Sequence, residues 1–228
     1  MTYLMYQVLV GTFLFFVWLN MSSYLKSILR HKNYQDIHDL FYCTNNPPKE
    51  LTESYSAYNN LKYIFDKYNE SMDEHLFIHI GDGSTCRTAA MFSFFSKSFN
   101  ISIDPVINIE RVENWIKTHN VERLEYFKTK VEELNLQLPL RDLSNGYTIT
   151  FVHSHAKILS VVNQYPNWKY IFTMPCCNFK DQTFDINYMK THEIEVLLSG
   201  VDKKISSEKN LIFIYKNKKM ENQNTDGK

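Results

Sequence analysis

The chain has 228 residues with 25 basic and 25 acidic side chains, so its formal net charge is zero. That length suits one domain plus an appendage, and the charge balance excludes a global basic field for tight, sequence-independent nucleic-acid binding. Four cysteines, Cys43, Cys86, Cys176 and Cys177, form neither a disulfide framework nor a paired Cys-x-x-Cys zinc motif, and they fit a reducing compartment. Apolar residues at 44 % of the chain are ample for a core. The richness in Asn, Lys, Tyr and Ile matches the coding bias of an AT-rich genome, as in viruses and protists.

No charged residue occurs from Met1 to Leu25, and Val8–Leu19 is dense in large apolar side chains. A stretch of about 20 apolar residues spans a bilayer, so residues 1–25 are expected to form a hydrophobic helix and membrane anchor. A helix covering an apolar face is the alternative. A basic leader and a small-residue cleavage site are both missing, which argues against a signal peptide. Lys26, Arg30, His31 and Lys32 follow and place the downstream domain in the cytoplasm.

Residues 26–74 are expected to be a helical extension. Asn45–Pro48 reads as a turn. Tyr58, Leu61, Ile64, Phe65 and Tyr68 recur at helical spacing opposite Lys62 and Asp66. That helix covers the sheet edge and could form a lip of a substrate pocket.

From residue 75 to 216, strand and helix signals alternate. Leu76–Ile80, Ile101–Ile103, Leu124–Phe127, Tyr147–Val152 and Trp168–Met174 read as strands. Segments beginning near Ser84, Ile109 and Ala156 read as helices, the first capped by Ser84. Glu193–Leu198 and Leu211–Tyr215 leave no room for a long helix between them and read as an antiparallel hairpin. The expectation is a doubly wound, mostly parallel α/β sheet of Rossmann-like type, closed by an antiparallel C-terminal hairpin. Residues 217–228 are polar and read as a disordered tail.

The first strand runs into Gly81-Asp82-Gly83, and the second ends at Asp104. Glycines allow a sharp turn and a close backbone approach to a ligand, and an acid after the second strand can hold a ribose. These residues resemble the class I S-adenosylmethionine-dependent methyltransferases. The resemblance implies S-adenosylmethionine as cofactor, held by Gly81, Asp82, Gly83, Ser84 and Asp104. His79 stands where that family often has an acid, and Thr85 stands at its third glycine. Asp82 could partly replace the missing carboxylate. Arg87 either reaches an anion such as the cofactor carboxylate or faces solvent.

The fourth strand ends in Val152-His-Ser-His-Ala156 and the fifth in Met174-Pro-Cys-Cys-Asn178. The pairing is similar to a subgroup of the family that includes RNA-methyltransferase-like proteins, so RNA is an expected acceptor. His153, His155, Cys176 and Cys177 are the candidate catalytic residues. Imidazole can take a proton from an oxygen or nitrogen nucleophile near neutral pH, and the cysteines can line the pocket or supply a thiolate. No metal is expected: adjacent cysteines seldom share one tetrahedral ion, and His-x-His splays its rings. A catalytically inactive binding or scaffold protein is the alternative function. A nicotinamide enzyme is a third reading, disfavoured by the terminal hairpin.

Overall fold

The computed structural model describes residues 21–41, 44–134, 146–177 and 179–222. Most of the expected anchor, residues 1–20, lies outside them, as do Cys43 and Asn178. Among the described residues no helix is long and apolar enough to cross a membrane.

Five parallel strands form the body of the sheet: β1 (Leu76–Ile80), β2 (Phe99–Ile103), β3 (Leu124–Phe127), β4 (Tyr147–Val152) and β5 (Trp168–Met174). The hairpin of β6 (Ile194–Val201) and β7 (Leu211–Asn217) completes it, in the order β3-β2-β1-β4-β5-β7-β6. β7 runs antiparallel to both of its neighbours. The expected architecture is therefore present, with the order reversing between β1 and β4 as in doubly wound sheets.

Alternation along the strands sorts two cores. Ile78 aligns with Ile101 and Ile149, and with Ile80, Ile103 and Phe151 it packs on one face. Phe77, Tyr170 and Phe172 face the other way, onto helix α3 (Pro47–Lys67) and helix α4 (Arg87–Phe95). α3 starts where the sequence suggests a turn, because Asn46 caps it. Its side chain accepts the Lys49 N–H at 3.3 Å, and proline fills the first helical positions. Leu61, Ile64 and Phe65 are fully buried under it.

The N-terminal helices belong to this body. In α1 (Ser23–Leu29), Tyr24 and Ile28 are buried; in α2 (Tyr34–Phe41), Ile37, Leu40 and Phe41 are. Tyr24 donates its hydroxyl to Asp202 Oδ2 at 2.7 Å, and Ser56 and Asn60 of α3 donate to the same oxygen. Residues 23–25, read as the end of the anchor, are thus joined to the hairpin. At the other end, α8 (Lys219–Asn222) falls within the expected tail and buries Met220; residues 223–228 lie outside the described residues. Between them lie α5 (Ile109–Thr118), α6 (Ile158–Gln164) and α7 (Ile186–Thr191).

A polar ladder crosses the sheet beside Phe77. His75 Nε2 meets Thr148 Oγ1 at 2.9 Å. His79 lies between Thr150 Oγ1 at 2.8 Å and Asn100 Oδ1 at 3.2 Å. Asn100 Oδ1 can only accept, so His79 Nε2 carries the proton and Nδ1 takes the Thr150 hydroxyl hydrogen. Desolvation lowers His75 to about 3 and also lowers His79, against an opposing pull from Asp82 and Asn100. Burial thus favours the neutral form of both rings in the fold. Below about pH 6.5 the unfolded chain binds protons that the folded chain refuses, so stability falls as pH drops. The denaturation midpoint is expected to hold from pH 8 to 7 and to fall from 6.5 to 5. A slope unchanged in His79→Gln would remove His79 from the cause.

Candidate functional site

A cavity of about 610 Å³ opens at the carboxyl ends of β1, β2, β3 and β4. That size suits a cofactor-sized ligand. The loops after the strands and the first turns of α3 line it.

Gly81 and Gly83 both hold positive φ, +70° and +76°. A Cβ on Gly81 would sit 2.4 Å from Ser154 Oγ and 2.9 Å from Ser154 Cα. The chain after β1 therefore passes against the loop after β4 with no room for a side chain. At Gly83 the nearest atom would be Arg87 Nη2 at 2.7 Å.

Asp104 joins the two loops. Its Oδ2 accepts the Gly83 N–H at 2.9 Å and its Oδ1 accepts the Val106 N–H at 2.8 Å. Each carboxylate oxygen keeps a second acceptor direction, and Asp104 lines the cavity. A vicinal diol is the complementary ligand group.

Asp82 lines the cavity as well, and it also has a structural role. Its carboxylate accepts the N–H groups of Thr88 at 2.7 Å and Ala89 at 3.0 Å, and the Ser102 hydroxyl at 3.1 Å. It thereby caps α4, the role expected of Ser84. Ser84 is exposed and does not line the cavity; its carbonyl accepts the Asn108 N–H. α4 consequently starts at Arg87, after Cys86 in the left-handed region at φ +53°. Burial pushes the Cys86 thiol up to about 12, so it stays protonated.

Arg87 lines the cavity, with Nη1 2.5 Å from Glu50 Oε2. It is partly exposed at the cavity wall and paired with Glu50. His79 lies inside the sheet rather than at the cavity, and Thr85 is buried.

The opposite wall comes from α3 and the β4 loop. His153 Nε2 meets Glu53 Oε1 at 2.8 Å, and the Glu53 side chain is only 2 % exposed. His153 Nδ1 is buried with no hydrogen-bond partner. Its backbone is in the left-handed region at φ +52°, which costs about 1 kcal/mol for a non-glycine residue. The His153 N–H to Met174 carbonyl bond at 3.0 Å and the Glu53 contact offset that cost. Both His153 and Glu53 line the cavity.

Of the four candidate catalytic residues, His153 parts from the others. His155, Cys176 and Cys177 gather at the rim: the two Sγ atoms are 3.4 Å apart, and Cys177 Sγ is 3.7 Å from His155 Nε2. Adjacent cysteines were not expected to share one ion, yet these two Sγ atoms stand together. His155 lines the cavity while the cysteines stand beside it.

Residue-by-residue reading missed Glu53, Lys49 and Glu50 of α3, and Thr129, Lys130 and Val131 after β3. The idea of α3 as a pocket lip pointed to the right helix, one turn too late. No local sequence pattern marked Glu53, whose place at the cavity comes from the packing of α3 on the sheet.

No protein-family model and no curated protein sequence matches the chain. Solved structures do. A phosphoethanolamine N-methyltransferase from Haemonchus contortus, in complex with phosphoethanolamine and S-adenosylhomocysteine, is 10 % identical with a TM-score of 0.52. That match covers 85 % of this chain and 48 % of the other. An S-adenosylmethionine-dependent methyltransferase from Clostridium acetobutylicum is 9 % identical with a TM-score of 0.50, covering 81 % and 97 %. An rRNA methylase from Streptococcus thermophilus is 9 % identical with a TM-score of 0.44, covering 69 % and 96 %. The chain has the Rossmann-like fold of the class I S-adenosylmethionine-dependent methyltransferases.

Proposed function

We propose that this chain transfers a methyl group from S-adenosylmethionine to an acceptor nucleophile. The observation that carries the reading is the cradle formed by Gly81, Gly83 and Asp104 at the mouth of β1 and β2, open into a cavity of about 610 Å³. Asp104 would hold the ribose hydroxyls, and the Gly81–Gly83 backbone would lie against the methionine portion. Val106 and Val131 would flank the adenine on the β2–β3 side. The buried, unpartnered Nδ1 of His153 fits a ligand that brings its own hydrogen-bonding group.

When bound, the cofactor supplies an electrophilic methyl on a sulfonium. The protein's part is alignment of that methyl with the nucleophile. Glu53 fixes the ring of His153, leaving Nδ1 as the atom that can accept a hydrogen bond or a proton from an oxygen or nitrogen acceptor. His155, Cys176 and Cys177 stand at the rim, where an acceptor would enter. RNA is the acceptor class in this reading, on the strength of the β4 and β5 segments. The open cavity supports an enzyme over a scaffold, whose pocket would be filled by its own side chains.

Binding is tested by thermal shift. At 100 times its Kd, S-adenosylmethionine or S-adenosylhomocysteine should stabilise the full chain by about 2.7 kcal/mol, and NAD should not. Equal shifts with NAD, or none with either S-adenosyl ligand, would overturn the reading. Transfer is tested with cofactor carrying a labelled methyl group and total RNA. Label that ribonuclease releases supports RNA; label that only protease releases replaces RNA with protein.

A further inference from the structure

The geometry points to a zinc site with one open coordination position, formed by His155, Cys176 and Cys177. β4 and β5 are parallel neighbours in a register that pairs Val152 with Met174. The His153 N–H to Met174 carbonyl bond carries the pairing past the strand ends. Three residues further on, position 155 therefore emerges beside position 177. The turn at Pro175 brings Cys176 to the same point, its Sγ 3.9 Å from the His153 carbonyl oxygen.

The donor atoms already stand at the separations of ligands around one ion. Zinc binds thiolate at about 2.3 Å and imidazole at about 2.0–2.1 Å, so tetrahedral edges are about 3.8 Å for S···S and about 3.6 Å for S···N. Here Sγ···Sγ is 3.4 Å and Sγ···Nε2 is 3.7 Å, and all three donor atoms lie within 4.8 Å of one another. No other group of three or more such donors gathers this way among the described residues. Two sulfurs and one imidazole nitrogen form a borderline-soft set that favours zinc over magnesium or calcium. His155 and Cys177 are exposed, so the fourth position is open to water or an incoming ligand, as in zinc sites that act on substrates. Binding is balanced as one Zn²⁺ replacing two thiol protons, which go to solvent; the imidazole coordinates as the neutral base.

The test uses the reduced, metal-free full chain. Zinc titration should give one ion per chain with up to two protons released, read by calorimetry in buffers of different ionisation enthalpy. Cobalt(II) should give thiolate charge-transfer absorption and the visible bands of a tetrahedral ion. Cys176→Ser, Cys177→Ser and His155→Ala should each weaken zinc by more than about 100-fold, while Cys43→Ser should bind as the unaltered chain does. Circular dichroism checks folding; if Cys176→Ser unfolds, the two exposed positions carry the test. Absence of stoichiometric zinc, retention by all three variants, or loss in Cys43→Ser would overturn the site. Zinc binding does not rest on methyl transfer: a chain that takes zinc but not S-adenosylhomocysteine would sink the proposed function alone.

Discussion

Asp104→Ala should fold and lose S-adenosylhomocysteine, with Kd rising at least about 100-fold. The magnitude follows from two hydrogen bonds to a charged acceptor, each worth about 1.5–3 kcal/mol, when about 1.4 kcal/mol is tenfold in affinity. The same carboxylate also holds the Gly83 and Val106 N–H groups. Its loss therefore loosens both loops that shape the cavity, which adds to the effect. Ser84→Ala is the matched comparison. Ser84 is next to the same turn but exposed and outside the cavity, so its removal should leave Kd within about twofold, under 0.5 kcal/mol. Asp104→Ala binding as tightly as the unaltered chain would mean that the ribose is held elsewhere.

Gly81→Ala should lower the melting temperature by roughly 6–12 °C. The left-handed backbone at φ +70° costs an alanine about 1–2 kcal/mol, and the Cβ collides with Ser154 at 2.4 Å, an overpacking of about 1–3 kcal/mol. Together these come to about 3 kcal/mol, and a chain of this size shifts about 2–4 °C for each. Ser154→Gly in the same chain should restore only part of it, because Ser154 Cα still lies 2.9 Å from the new carbon. Gly83→Ala should cost less. Its first obstacle is the end of the Arg87 side chain, which can move, so the backbone penalty dominates. A melting temperature for Gly81→Ala unchanged within error would contradict the close approach of the two loops.

The sheet was legible because its strands are short apolar runs separated by turn residues, and because too little chain separates β6 from β7 for a parallel crossover. The cradle was legible for the same kind of reason: Gly81, Gly83 and Asp104 sit at fixed offsets from strand ends. The α4 cap was not. Ser84 and Asp82 are both good capping residues, and only the fold shows that Cys86 takes a left-handed turn that swings the helix start back to Asp82. The Glu53–His153 pair joins residues 100 positions apart through packing of α3 on the sheet, which no local pattern encodes. His79 looked like a departure from an acidic position at the site. It is instead a buried strand residue, bonded to Thr150 and Asn100 on either side, and it does not line the cavity.

The convergence of Cys176 and Cys177 with His155 follows from parallel register, which a linear reading does not give. Counting from the Val152–Met174 pair brings 155 level with 177. The N-terminal residues show the opposite lesson. Hydropathy alone joined residues 21–25 to the apolar run before them, whereas Tyr24 is tied through Asp202 to the far hairpin.

The most direct measurement of the central claim is calorimetric titration of the reduced full chain with S-adenosylhomocysteine. The structure predicts saturable heat with one site per chain, abolished in Asp104→Ala and retained in Ser84→Ala. A folded chain that gives no heat, or heat that Asp104→Ala leaves untouched, would contradict the assignment of this cavity to a methyl donor.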